Sequence, residues 1–204
     1  MERGDIDVVL FDLGGVLVDF GGVAPMRGLA NIASDEELWE RWLTCPWVRT
    51  FERGQCSAEA FSEGIVSDWG LDVSPDSFLA AFESWPGATL PGAEQLVHEV
   101  RTRTPVGYLS NTNTLHREAH SSRWPVLTAF DHRFLSFEMG MVKPDPELFE
   151  AVATSLALPA VRLLFMDDNV RNVRAASAAG FRAEHAQGVQ AARAALVAHG
   201  VLDD

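Results

Sequence analysis

Apolar residues gather in this chain into three short unbroken runs, Val8-Val9-Leu10-Phe11, Val106-Gly107-Tyr108-Leu109 and Leu163-Leu164-Phe165-Met166. Each stops at a polar residue: Asp12, Ser110 and the pair Asp167-Asp168, respectively. Runs of this length, without polar alternation and rich in β-branched and large side chains, predict strands of a parallel sheet buried on both faces. Helical signals lie between them. Pro91 opens a helix through Leu96, Val97 and Val100, and Asp145-Pro146 supplies an N-cap and first-turn proline ahead of Leu148, Phe149 and Val152. Val170 to Ala179 is an alanine-rich helix closed by Gly180, and Gln187 to His199 is another closed by Gly200. This alternation predicts an α/β fold with a doubly wound, Rossmann-like parallel sheet.

The texture differs between the Gly14-Gly15 turn and Trp85-Pro86-Gly87. Ser34 and Glu37 form a capping-box pattern before Leu38, Trp39 and Trp42. Ser57 precedes Ala60, Phe61, Ile65 and Trp69, and Ser74-Pro75 opens a stretch carrying Phe78, Phe82 and Trp85. Residues 20–88 are therefore expected to form a small helical cap inserted after the first strand, with residues 1–19 and 89–204 forming the α/β core. Five of the six tryptophans (Trp39, Trp42, Trp47, Trp69 and Trp85) fall in the cap, where helical spacing predicts packing rather than ligand contact.

A chain of 204 residues, 47% hydrophobic, is long enough to bury its own core. Its net charge of −13 argues against nucleic acid, whose phosphates draw on clustered Lys and Arg. Cys45 and Cys56 are not spaced for zinc or redox chemistry. The charged start Met1-Glu2-Arg3-Gly4-Asp5 and the brief first apolar run do not read as a signal peptide or membrane span. The expectation is a cytoplasmic protein with no membrane partner, either a monomer or a homodimer.

In an open parallel sheet the ligand site lies beyond the carboxyl ends of the strands, so the three polar run ends would meet in one crevice. Lys143, in Met141-Val142-Lys143-Pro144-Asp145-Pro146, is the only lysine among 16 basic residues, a compact ammonium where every other cation is a planar guanidinium. Four motifs follow in order: Phe11-Asp12-Leu13-Gly14-Gly15-Val16-Leu17, Leu109-Ser110-Asn111-Thr112-Asn113, Lys143-Pro144-Asp145-Pro146 and Phe165-Met166-Asp167-Asp168-Asn169. Together they resemble those of the haloacid dehalogenase-like hydrolases, mostly magnesium-dependent phosphatases, in the branch with a helical cap after the first strand. Ser110 to His116, Phe51-Glu52-Arg53-Gly54 and Asp167-Asp168-Asn169 further resemble bacterial glucose-1-phosphatases.

The resemblance implies that Asp12 is the nucleophile that takes the phosphoryl group as an aspartyl-phosphate. It implies that Ser110 and Asn111 hold phosphate oxygens through a hydroxyl and a backbone N–H, and that Lys143 bridges Asp12 and the phosphate. Mg²⁺ would be held by Asp12, Asp168 and the Gly14 carbonyl, with Asp167 behind them or as an alternative contact. That set suits an ion that prefers oxygen ligands and one or two carboxylates. Asn172 would orient Asp168 or its waters. Arg49, Glu52 and Arg53 could reach the site from the cap but read first as a solvated helix face, and His116 and His120 read as surface or capping residues. The implied activity is phosphomonoester hydrolysis of a small phosphorylated metabolite such as a sugar phosphate.

One departure stands out. Most phosphatases of this family carry a second Asp two residues after the nucleophile, and this chain has Gly14. A glycine exchanges no proton, and general acid–base catalysis is worth about 10²–10⁴-fold. Two alternatives follow: a metal-independent 2-haloacid dehalogenase, disfavoured by the paired acids, and a non-catalytic phosphate- or metabolite-binding protein.

Overall fold

The computed structural model describes residues 6–203; the charged amino terminus Met1–Asp5 lies outside the described residues. In chain order the elements begin with β1 (Val8–Phe11), β2 (Val18–Phe20), α1 (Val23–Ala30), α2 (Asp35–Thr44), α3 (Pro46–Glu52), α4 (Ala58–Trp69) and α5 (Pro75–Glu83). They continue with β3 (Pro86–Thr89), α6 (Ala93–Arg101), β4 (Val106–Ser110), α7 (Thr114–His120), β5 (His132–Leu135), α8 (Ser136–Met139) and α9 (Pro146–Leu156). The last elements are β6 (Leu163–Asp167), α10 (Val170–Ala178), β7 (Arg182–His185) and α11 (Gly188–Ala198).

Five strands form a parallel sheet in the order β5-β4-β1-β6-β7. Burial explains why the three apolar runs occupy its centre. Along β1, Val9 and Phe11 enter one hydrophobic cluster with α6 and α11, while Val8 and Leu10 enter another with α9 and α10. β6 alternates the same way, with Leu164 and Met166 on the first face and Leu163 and Phe165 on the second. Each of these large side chains, removed from water, contributes about 1.5–3 kcal/mol of hydrophobic stabilisation.

The sheet is wider than the apolar runs predict. β5 and β7 are edge strands; β7 along its length and β5 at its first two residues are open to solvent, so they carry arginine, histidine and glutamate and lack the continuous apolar signature. A further antiparallel ribbon pairs β2 with β3, Val18 opposite Thr89 and Phe20 opposite Pro86. Helices α1–α5 lie between its strands and share a separate aromatic cluster built on Trp42, Phe51, Phe61, Trp69, Phe78, Phe82 and Trp85. The Ser34, Ser57 and Ser74 side chains cap α2, α4 and α5, as their spacing predicts. Two predicted helix starts differ. α6 begins after Gly92, which takes the left-handed conformation. Asp145 holds the N-cap position of α9 without bonding its side chain to that helix, for a reason that appears at the site.

Candidate active site

β4, β1 and β6 are neighbours, so their carboxyl ends place Ser110, Asp12 and Asp167-Asp168 side by side. The Asp12 backbone N–H donates to the Met166 carbonyl at 2.8 Å, tying the first turn after β1 to β6. The chain then folds back sharply: Gly15 has φ +71°, and a β-carbon there would collide with the Asp168 carboxylate. A glycine is thus required at position 15 by both backbone and side-chain sterics.

Lys143, 1% exposed, reaches the same point from the loop before α9. Its ammonium donates to Asp12 Oδ1 at 2.9 Å and to Asp167 Oδ2 at 2.6 Å. Asn111 fixes this loop, with Nδ2 donating to the Lys143 carbonyl (3.0 Å) and Oδ1 accepting from the Lys143 N–H (2.8 Å). The Asn111 side chain is thereby spent on positioning Lys143. Asp167 is fully buried, and both of its oxygens are occupied. Oδ1 accepts from the Asn169 N–H at 2.8 Å, and Asn172 Nδ2 donates to both oxygens at 3.1 Å. Asn172 therefore orients Asp167, where the sequence suggested Asp168, because α10 carries residue 172 back beneath the end of β6.

Oxygens of Asp12, Asp167 and Asp168 lie within 4.8 Å of one another. Three carboxylates against one ammonium leave two negative charges without a counter-charge. The consequence is visible in their acidity: burial, reinforced by neighbouring carboxylates, pushes Asp12 and Asp168 up to about 7 even with Lys143 opposing the shift. Asn172 Oδ1, buried and without a hydrogen-bond partner, is an acceptor at the wall of the same cavity. A donor set of closely spaced hard oxygens with an excess of two negative charges fits a divalent cation such as Mg²⁺.

The cavity above this cluster has a volume of about 110 Å³ and two unlike halves. Asp12, Gly14, Ser110, Asn111, Lys143 and Asp168 form the polar half; Phe20, Trp39, Trp42, Leu43 and Phe82 face it from the ribbon and helices, with Glu52, Asn113 and His116 among them. The tryptophans of this segment pack together as expected, yet Trp39 and Trp42 also present part of their surface to the cavity.

Several residues take roles other than those first read from the sequence. Arg49, Glu52 and Arg53 do not form a solvated face. Arg49 Nη2 donates to Asp145 Oδ1 and Oδ2 (2.8 and 2.6 Å) and Arg53 Nη2 to Asp145 Oδ2 (2.6 Å), so α3 is ion-paired to the loop that carries Lys143. This is why Asp145 does not cap α9: two guanidinium groups are stronger partners than a helix N–H. Glu52, only 9% exposed, points into the cavity. Burial is the largest influence on its carboxyl and raises it to about 7, against Trp42, Lys143 and Arg49.

His116 and His120 are buried rather than at the surface. Their Nε2 atoms donate to the Phe82 and Glu83 carbonyls, at 2.8 and 2.6 Å, and so complete the carboxyl end of α5. His116 Nδ1 then accepts from Asn113 Nδ2 at 3.3 Å, and burial lowers its pKa to about 4, leaving it neutral.

Three parallel strand ends thus form a crevice that holds an acidic triad, a buried lysine and a hydroxyl, where α/β folds of this type bind their ligands. Comparison with known proteins identifies it further. The family model for haloacid dehalogenase-like hydrolases matches residues 6–180. A sesquiterpene phosphatase of Aspergillus oryzae is 30% identical over 188 residues, covering 86% of this chain and 87% of its own. D-ribitol-5-phosphate phosphatase of Bacteroides thetaiotaomicron is 23% identical, covering 85% and 88%. Among solved structures, a HAD family enzyme of Bacteroides thetaiotaomicron in complex with magnesium and inorganic phosphate superimposes with a TM-score of 0.67. It is 28% identical, covering 89% of this chain and 94% of that one. The chain belongs to the haloacid dehalogenase-like hydrolase family. No helix among the described residues is long and apolar enough to cross a membrane.

Proposed function

We propose that this enzyme is a magnesium-dependent phosphomonoester hydrolase acting on a small metabolite through a phosphoryl-Asp12 intermediate. The observation that carries the reading is the charge imbalance of the acidic cluster beneath a cavity that also presents Ser110 and Lys143. In this reading Asp12, Asp168 and the Gly14 carbonyl would hold Mg²⁺, which would supply positive charge to the phosphoryl oxygens. Asp167, its oxygens already engaged, anchors Lys143 and the metal-facing turn.

Each protein group then has a task. Asp12, held by Lys143 and its own backbone bond to Met166, presents a carboxylate oxygen to phosphorus from one side. The Ser110 hydroxyl and the Asn111 N–H receive equatorial oxygens, and the Lys143 ammonium neutralises the charge that the metal leaves uncovered. The helices between β2 and β3 act as a cap over the α/β core and narrow the access of water to the cavity. Electrostatics of this kind gains strength as a site is shielded from water.

The leaving group would occupy the aromatic half. A buried hydroxyl without a partner costs about 1–3 kcal/mol, and this half offers few polar groups beyond Glu52, Asn113 and His116. An ester with a continuous apolar face therefore fits better than a polyol solvated on every side, which narrows the sugar-phosphate expectation to compounds with such a face. The relatives' named substrates, a sesquiterpene phosphate and ribitol 5-phosphate, bracket that choice.

The test is phosphate release from prenyl, aryl, sugar and polyol phosphates, with Mg²⁺ and with EDTA, using Asp12→Asn as control. Metal-dependent release lost in the variant supports the reading. Magnesium-independent chloride release from 2-chloropropionate, with no phosphate release, would replace it with dehalogenation.

A further inference from the structure

Hydrolysis at this site moves a proton twice, once onto the leaving oxygen and once off the attacking water, and position 14 has no side chain to do either. The ester oxygen must leave as an alcohol, and the water that later attacks phosphorus must lose a proton. A β-carbon at Gly14 would meet nothing closer than Phe20 Cβ at 3.9 Å, so a side chain there is absent from the sequence, not blocked by packing.

The cavity wall offers few groups that exchange protons near neutrality. Asp12 and Asp168 belong to the acidic cluster, and Lys143 is held between Asp12 and Asp167. His116 is committed at both ring nitrogens, donating to the Phe82 carbonyl and accepting from Asn113. Glu52 remains. It lines the same cavity as Asp12, Ser110 and Lys143, from the cap side, and carries the one carboxyl contributed to this cavity by the helices between β2 and β3.

Its placement is built into α3. Residues 49, 52 and 53 share one helix face by i, i+3, i+4 spacing. Arg49 and Arg53 straddle Glu52 and both bind Asp145, two residues beyond Lys143, so the face they define is drawn onto the core. Past the helix, Gly54 at φ +69° lies so close to the core that a β-carbon would approach the Phe137 carbonyl of α8 to 2.8 Å. The side chain between the two arginines is thereby directed into the cavity. The groups that act on it are Trp42 of α2, Arg49 of its own helix, Lys143 from the loop before α9 and Asp12 from the end of β1.

We propose that Glu52 is the proton-transfer residue of this enzyme, standing in from the cap for the acid missing at Gly14. In the first step the Asp12 carboxylate forms a bond to phosphorus, the bond from phosphorus to the ester oxygen breaks, and the Glu52 carboxyl gives its proton to that oxygen. In the second, water attacks phosphorus and loses a proton to the Glu52 carboxylate. The phosphorus–Asp12 bond then breaks, so phosphate is released with Asp12 ionised and Glu52 protonated again. A carboxyl that burial holds near neutrality suits both halves of the cycle.

This rests on the phosphatase reading, and the experiment separates the two. Glu52→Gln and Glu52→Asp are compared with wild type on an alkyl phosphate and on 4-nitrophenyl phosphate, whose leaving group departs without protonation. Folding is checked by circular dichroism. Glu52→Gln should lose about 10²–10⁴-fold in kcat on the alkyl ester. On the aryl ester it should release a burst of nitrophenol equal to the enzyme present and then stall, because the base for the second step is gone. Glu52→Asp should keep part of the activity and the acid-base limbs of the pH profile. A Glu52→Gln enzyme that slows both esters equally without a burst, or neither of them, overturns the proposal and leaves the phosphatase intact. A wild-type enzyme that hydrolyses neither ester overturns both.

Discussion

Replacing Lys143 by Met removes the ammonium while keeping a long apolar stem. In wild type that ammonium, 1% exposed, lies 2.9 Å from Asp12 Oδ1 and 2.6 Å from Asp167 Oδ2. Without it, three carboxylates with oxygens inside 4.8 Å of one another face each other with no buried cation between them. Deleting one partner of a buried ion pair costs about 3–5 kcal/mol, because the other charge is left desolvated and unpaired. For a chain of this size each kcal/mol shifts the melting temperature by about 2–4 °C, so Lys143→Met should melt about 6–20 °C below wild type in EDTA. Scanning calorimetry with and without excess Mg²⁺ makes the measurement, and the cation should recover much of the loss. Adding Asp167→Asn should recover part of it in EDTA as well, since neighbouring charges couple strongly in a double-mutant cycle. A Lys143→Met protein that melts with wild type in EDTA would refute the reasoning, because the cluster would then not depend on its cation.

Two further outcomes follow from the geometry. Asp145→Ala frees Arg49 and Arg53, and with each pair about a quarter exposed the loss is about 1 kcal/mol. KM should rise about fivefold while the fold is retained, and steady-state kinetics with an unchanged KM would contradict the role of this ion pair in holding the cap. The second outcome concerns pH. Asp12, Asp168 and Glu52 are each raised to about 7, chiefly by burial. The folded protein then keeps protons that the unfolded chain has released, so metal-free stability should fall as pH rises from near 4 to near 7 and level off above. Excess Mg²⁺ should flatten the fall by stabilising ionised Asp12 and Asp168, and coincident curves with and without the ion would contradict this.

What was legible in the sequence follows from which forces act locally. β1, β4 and β6 were readable because burial on both faces leaves a strand no polar positions, and their ends marked Asp12, Ser110 and Asp167-Asp168 directly. β5 and β7 escaped because edge strands keep polar residues, His132-Arg133 in one and Glu184-His185 in the other. Glu52 escaped for a different reason. Two charged residues of a seven-residue helix and a third at its C-cap describe a solvent face until a partner is known, and the partner of the two arginines, Asp145, lies more than ninety residues away. Asp145 itself looked like a helix cap for the same reason, since only the fold brings two guanidinium groups to it. His116 and His120 read as surface or capping residues, and capping is the role they take. Their actual partners are carbonyls at the end of α5, with no local signal in the sequence.

The central claim is that Asp12 becomes phosphorylated in a magnesium-dependent cycle. Its most direct test is acid quenching of the enzyme during turnover of its best substrate with Mg²⁺, followed by proteolysis and peptide mass spectrometry. The account predicts the mass of one added phosphoryl group on the peptide containing Asp12, absent in EDTA and absent in Asp12→Asn. Efficient magnesium-dependent turnover with that peptide unmodified and Asp12→Asn still active would contradict it.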